Sequence, residues 1–148
     1  MLIRMIEKII VLLFLVIGAV WDLKKKSVPK KYLCIWSAFV MFFLISDFIG
    51  RRNITDMLLS MIPGLVCVFL AFITREQLGY GDGWVIMLLG LFLDFKYVLK
   101  IIFVAFCILT VVIVFLFIFR KVGRRTTLPF LPFLLMGYLV CVFFGGSL

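Results

Sequence analysis

Long uninterrupted apolar runs constrain the fold of this chain more than any other feature. Ile9–Val20 and Ile101–Phe119 contain no charged residue, and a helix needs about 20 apolar residues to cross a bilayer. Hydrophobic residues make up 66% of the chain, whereas soluble domains are about half apolar. Lipid is therefore the expected main solvent, and there the backbone must satisfy its own hydrogen bonds as helices or a closed barrel. The runs are continuous rather than alternating, which predicts an all-α protein.

Six apolar segments predict a six-transmembrane-helix bundle in which residues 1–148 form a single domain. The fourth segment covers only about 18 Å as a helix, although a bilayer core is about 30 Å thick. Three glycines precede it, which predicts irregular backbone over Gly79–Gly83, at the floor of a water-accessible pocket. The predicted segments are Leu2–Trp21, Tyr32–Ile49, Met57–Thr74, Gly83–Leu93, Tyr97–Phe119 and Leu128–Phe144.

The net charge of +9 is best interpreted through membrane topology. The basic residues cluster in short loops between the apolar runs, and such residues favour the cytosolic side. Ten of the 16 lie in the first, third and fifth loops and six on the other side. The bias predicts a multi-pass protein of the cell membrane with both termini outside. It makes membrane lipid a partner and excludes nucleic acid.

The absence of histidine and the spacing of the cysteines exclude several chemistries. Without histidine the chain has no Ser–His or Cys–His pair and lacks the usual catalytic zinc ligands. No C-x-x-C pair occurs, so neither a metal nor another cofactor is expected. The cysteines lie within apolar runs and are predicted to be small buried hydrophobic residues. They are Cys34, Cys67, Cys107 and Cys141.

Two aspartates are predicted to meet at one membrane face. Asp22 follows the first apolar run and Asp82 precedes the fourth, so the chain crosses the membrane twice between them. Asp47, Asp56 and Asp94 belong to the opposite face. Two carboxyl groups that share one proton can hydrolyse a peptide bond. Alternatively, Asp22 is an ordinary interfacial charge and Asp82 is the N-cap of the fourth helix.

Three short motifs carry a family resemblance. Gly79-Tyr80-Gly81-Asp82 resembles the G-x-G-D motif of type IV prepilin peptidases and their archaeal preflagellin relatives. The segment from Asp22 to Pro29 resembles the first-aspartate segment of that family, and Pro129–Phe133 resembles its Pro-Phe-x-Pro motif. Besides the aspartates, the motif residues expected to support the site are Gly79, Gly81, Gly83, Pro29, Pro129, Phe130 and Pro132.

The resemblance implies an aspartyl endopeptidase with Asp22 and Asp82 as its catalytic pair. Such an enzyme removes the basic leader from prepilin-like proteins at the cytosolic membrane face, without metal or cofactor. Assembly proteins of type IV pili or type II secretion are then further partners. The chain departs from the family at Trp84, where Lys is frequent, and at Lys30, where Asn is frequent. Lacking paired C-x-x-C motifs, it is most similar to the short, peptidase-only members.

Two other functions compete with the peptidase interpretation. A small transporter or channel could use the two aspartates as an ion site, and a non-catalytic assembly subunit could retain the fold alone. Within the peptidase interpretation, helix ends suggest different roles for the pair. The positive end of the fourth helix favours an ionised Asp82 as the base, and the negative end of the first favours a protonated Asp22.

Overall fold

A computed structural model describes residues 2–25, 30–48, 54–73, 79–119 and 129–144. Within these ranges the chain forms six α-helices and no strand, which confirms the all-helical prediction. The helices are α1 (Leu2–Lys25), α2 (Lys30–Phe48), α3 (Ile54–Ile73), α4 (Tyr80–Phe92), α5 (Phe95–Ile118) and α6 (Leu131–Phe144).

The helix bounds differ from the predicted ones in places that matter for the site. Helix α1 continues to Lys25, so Asp22 lies in its last turn, three residues before Lys25. Helix α4 begins at Tyr80, so the prediction of irregular backbone through Gly83 is wrong. A glycine inside a helix costs about 1 kcal/mol relative to alanine. Here the absence of side chains lets α4 pack closely against its neighbour, and this packing offsets the cost.

Helix α4 is the central element of the bundle. It contacts α1, α2, α3 and α5, and from Val85 to Phe92 every residue except the half-buried Met87 is buried. Its 13 residues span about 20 Å, less than the thickness of a bilayer core. The neighbouring helices cover it, so its length need not match that of a lipid-facing helix.

Helices α3 and α4 approach each other through glycines. A Cβ atom placed on Gly64 would lie 2.4 Å from the backbone of α4, and one on Gly83 would lie 2.6 Å from a side chain of α3. One on Gly90 would lie 2.0 Å from the carbonyl oxygen of Ser60. We call Gly64, Gly83 and Gly90 the glycine seam. It sets the depth at which the first turn of α4 lies in the bundle.

Helices α1 and α6 pack against each other by a different arrangement. The Tyr138 hydroxyl donates a hydrogen bond of 2.9 Å to the carbonyl oxygen of Lys8. Nearer the other end of α1, the fully buried Leu131 packs at Gly18, where an added Cβ would lie 3.5 Å from Leu131 Cδ2. The two helices are therefore antiparallel, and the beginning of α6 lies beside the last turns of α1.

The described residues include one helix that is long and apolar enough to cross a membrane, Phe95–Ile118. It is mostly unburied, and large apolar side chains such as Phe103 (71% exposed) and Phe117 (75% exposed) face outward. A single helix of this kind also occurs in soluble proteins. The six-span arrangement and its orientation therefore stay predictions.

Candidate active site

Asp22 is a buried carboxylate held by the beginning of α6. Its side chain is only 5% exposed, and its Oδ2 accepts a hydrogen bond of 3.1 Å from the backbone N–H of Leu131. The backbone N–H of Phe130 also interacts with this carboxylate. The alternative that Asp22 is an ordinary interfacial charge is therefore wrong, because such a charge would be exposed to water.

The first turn of α6 directs its free donors at Asp22. A helix leaves its first N–H groups without partners inside the helix. In α6, the N–H of Phe133 donates to the carbonyl oxygen of Phe130 over 3.0 Å, and Pro132 has no N–H. The remaining donors, those of Phe130 and Leu131, both serve Asp22. The helix end and the carboxylate thus satisfy each other.

Asp82 lies in the first turn of α4 and is half-buried. Its N–H donates a 3.1 Å hydrogen bond to the carbonyl oxygen of Gly79, and Gly79 itself is the N-cap residue. The alternative that Asp82 caps the helix is therefore wrong. A Cβ on Gly79 would lie 3.1 Å from Asp82 Oδ2, so the first glycine of the motif leaves room for this carboxylate.

The two carboxyl groups converge at one end of the bundle. The charge of Asp22 acts on the Asp82 carboxyl, so the two groups lie near each other. That two membrane crossings bring them to one face stays a prediction. The half-buried Cys67 of α3 also lies close to Asp82. Sequence reasoning missed Cys67, since a lone cysteine in an apolar run has no signal that separates it from core. The arrangement offers two acid–base groups in largely apolar surroundings.

The acidic residues Asp56 and Asp94 lie away from the pair. Asp94 is exposed and follows the far end of α4. Asp56 is exposed and lies one turn before Ser60, whose carbonyl packs against Gly90 near that same far end. The side chain of Asp47 lies outside the described residues.

The supporting residues named from the sequence divide into two groups. Gly79, Gly81 and Gly83 lie at the N-cap and in the first turn of α4, around Asp82. The second group belongs to the Pro-Phe-x-Pro motif and lies at the beginning of α6 beside Asp22. Each member is half-buried; the members are Pro129, Phe130 and Pro132. Pro29 lies outside the described residues. The G-x-G-D motif thus contributes to Asp82 and the Pro-Phe-x-Pro motif to Asp22.

The described part of the chain holds no group of three residues that could bind a metal ion. The four cysteines are free thiols, and only Cys141 is buried. Cys34 and Cys107 are exposed, so the prediction of burial is wrong for these two. They lie on outward faces of their helices, which sequence periodicity did not separate from the inward ones.

The fold and the site define a helical protein with a paired-aspartate acid–base centre. The chain matches the type IV leader peptidase family over residues 9–115, from α1 into α5. This match covers most of its length and includes both aspartates, and the chain belongs to this family. It is therefore a peptidase, of a family typically associated with membranes. No match is found among curated proteins or solved structures.

Proposed function

We propose that this protein is a membrane aspartyl endopeptidase that removes the basic leader from prepilin-like proteins, with Asp22 and Asp82 as its catalytic residues. The observation that carries the proposal is the convergence of these two carboxyl groups in a chain of the leader peptidase family. Among the described residues, these are the two acidic groups that converge. The pair needs no histidine and no metal, in keeping with the residues that the chain contains.

The proposed reaction uses one ionised and one protonated carboxyl group. The ionised group takes a proton from water as the water oxygen attacks the scissile carbonyl carbon. The protonated group donates its proton to the carbonyl oxygen, which gives a tetrahedral diol. As the diol collapses, the C–N bond breaks and the departing nitrogen receives a proton from the first group, while the second group takes a proton back from one of the diol hydroxyls. One water is consumed, the products are a carboxyl and an amine, and the pair regains its original single proton.

The surface of the bundle supports a location in the membrane. Large apolar side chains face outward on α3, α5 and α6, among them Phe72, Phe103 and Phe143, and lipid would cover them. The basic loops would then contact anionic headgroups at the cytosolic face. A substrate helix would lie alongside the bundle in the lipid and present its leader junction to the two aspartates.

Cleavage in a reconstituted system tests the function. Purified protein in liposomes, supplied with a prepilin-like substrate, is expected to release a fragment of leader length, detected by mass spectrometry. Asp22→Asn and Asp82→Asn should each lower the rate by about 10²–10⁴-fold, the usual contribution of a positioned acid or base. Asp56→Asn and Asp94→Asn, which are exposed at the far end, should retain the rate.

The outcomes separate the three functions. Robust cleavage by either of the first two variants, with folding matched by thermal denaturation, would exclude the pair. Absence of cleavage by the wild type, together with aspartate-dependent ion flux in the same liposomes, would support transport. Inactivity in both assays, with binding to assembly proteins that survives Asp22→Asn and Asp82→Asn, would support a non-catalytic subunit.

Cysteine labelling tests the orientation. In a background in which the four native cysteines are replaced by serine, single cysteines introduced at Lys26 and Gly123 should react only with reagent on the cytosolic side. A cysteine introduced at Asn53 should react only from outside. The opposite pattern would place the aspartate pair on the outer face and exclude cytosolic cleavage.

A further inference from the structure

The two aspartates of the pair differ in the partners of their carboxyl groups. Asp22 accepts a hydrogen bond of 3.1 Å from the backbone N–H of Leu131, and the backbone N–H of Phe130 also acts on this carboxylate. Hydrogen bonds of this kind favour the charged carboxylate, which has only acceptor sites to offer. The beginning of a 14-residue helix adds a positive dipole end beside the same carboxylate.

Asp82 has neighbours of the opposite kind. Among the described residues, no hydrogen bond to its carboxyl group is found, and its N–H is directed to Gly79. The charge of Asp22 from α1 acts on it, and the Asp82 carboxyl acts in turn on the Cys67 thiol of α3. A negative charge on Asp22 disfavours a second one on Asp82. Its position in the first turn of α4 favours ionisation, but α4 directs no hydrogen bond at the carboxylate.

From this difference we infer that the first turn of α6 holds Asp22 as the ionised member of the pair, so that Asp22 is the water-activating base and Asp82 the proton donor. The inference rests on the proposed function and reverses the roles suggested by the helix ends alone. Phe130 and Leu131 are then positioning residues that act through their backbone N–H groups. A carboxylate has about four acceptor sites, so two N–H bonds leave capacity for water and for the proton on Asp82.

Two contacts and the backbone preference of one proline keep the first turn of α6 in place. The Phe130 ring packs on Phe106 of α5, with centroids 5.4 Å apart. The Leu131 side chain is fully buried in the space that Gly18 leaves on α1. Pro132 has a fixed φ angle suited to the start of a helix. Gly18 lies one turn before Asp22, so the contact that buries Leu131 also brings its N–H to the carboxylate.

The test removes the Leu131 N–H while the helix is retained. Proline is tolerated in the first turn of a helix, so Leu131→Pro deletes the donor at that position. Loss of a hydrogen bond to a charged group is expected to lower kcat by about 10–100-fold, with little change in KM. The acid limb of the pH–rate profile should move up by about one unit, because Asp22 is then less easily ionised.

Leu131→Pro removes both the N–H donor and the buried leucine side chain, and two further variants separate these two effects. Replacing Leu131 by its α-hydroxy analogue turns the amide into an ester and retains the side chain, so it should move the acid limb even if Leu131→Pro fails to fold. Leu134→Ala removes an equally buried leucine one turn later and should lower stability without moving the limb. An unmoved limb in the ester variant, with cleavage present, would overturn the inference and leave the proposed function standing.

Infrared spectroscopy shows which of the two aspartates carries the shared proton, and it does not require cleavage of a substrate. At a pH between the two limbs, the carbonyl stretch of a protonated carboxyl should disappear in Asp82→Asn and persist in Asp22→Asn. Loss of the band in Asp22→Asn alone would reverse the two roles and overturn the inference. Because the spectrum is recorded without substrate, a protein that fails to cleave still gives this result, so failure of the proposed function is recognised separately.

Discussion

The glycine seam between α3 and α4 and the contact between α1 and α6 position the two aspartates by different means. The glycine seam needs the absence of side chains, because backbone and side-chain atoms of the partner helix occupy the space of each Cβ. The α1–α6 contact needs particular donor atoms, the Leu131 N–H for Asp22 and the Tyr138 hydroxyl for Lys8. The glycine seam therefore fixes how deeply α4 lies in the bundle, and the α1–α6 contact fixes the protonation state of Asp22.

This difference predicts that one added methyl group has unequal effects in the two contacts. In Gly90→Ala the new Cβ would lie 2.0 Å from the Ser60 carbonyl oxygen, whereas in Gly18→Ala its nearest neighbour would be the Tyr32 hydroxyl at 3.3 Å. Overpacking of this kind costs about 1–3 kcal/mol or more. We expect Gly90→Ala to lower the free energy of unfolding by at least about 2 kcal/mol and Gly18→Ala to lower it by less than about 1 kcal/mol, since a side chain can shift more easily than backbone.

Denaturant unfolding in detergent micelles, followed by circular dichroism, measures both changes. Val85→Ala is a useful control, because it removes buried side-chain volume from α4 without adding any. Equal losses of unfolding free energy in Gly90→Ala and Gly18→Ala would show that the two contacts do not differ as described.

The second prediction concerns the room around Asp82. In Gly79→Ala the new Cβ would lie 3.1 Å from Asp82 Oδ2, so the carboxylate must move by a few tenths of an ångström. Since a displacement of about 1 Å can cost about 100-fold in rate, we expect cleavage to fall by about three- to tenfold. The φ and ψ angles of Gly79, −64° and 125°, suit any residue, so stability should not change.

Cleavage kinetics and thermal denaturation of the same preparation check this separation. Gly79→Val should lower the rate further, because its branched side chain needs more room. A loss of stability that parallels the loss of rate would mean that Gly79 supports the fold rather than the carboxylate.

The smallest predicted effect concerns the far end of the α1–α6 contact. Tyr138→Phe removes the hydrogen bond from a buried hydroxyl to the Lys8 carbonyl oxygen. A neutral hydrogen bond of this kind contributes about 1 kcal/mol, so stability should fall by about that amount. The cleavage rate should stay within about twofold, since the hydroxyl contacts Lys8 rather than the aspartates. A large loss of activity at unchanged stability would contradict the view that the two ends of this contact act separately.

Periodicity and apolar runs predicted the helices well but not their relation to the site. The six segments correspond to the six helices of the described ranges, and Asp22 and Asp82, which were expected to meet, interact electrostatically. Local sequence favoured a break around Gly81 and Gly83, yet the helix begins at Tyr80. The missing information was tertiary, because only the approach of α3 shows that Gly83 lacks space for a side chain.

The roles of the aspartates show why local rules were insufficient. Helix-end reasoning placed Asp22 at the end of α1, and it lies in the last turn of that helix, which extends to Lys25. The reasoning considered only the helix that carries each residue. The donors that matter for Asp22 come from Phe130 and Leu131, 108 and 109 positions further along the chain. The Pro-Phe-x-Pro motif marked this segment as important, although its residue types do not reveal that its backbone faces an aspartate.

The same separation has a consequence for biosynthesis. A ribosome adds about 5–20 residues per second, so Leu131 is made about 5–20 s after Asp22. During that interval the nascent chain holds Asp22 without the amides that later bind it. The carboxylate pair can reach its final protonation state only after α6 has entered the bundle. Activity would thus be acquired in a late step of folding, once α6 has packed against α1.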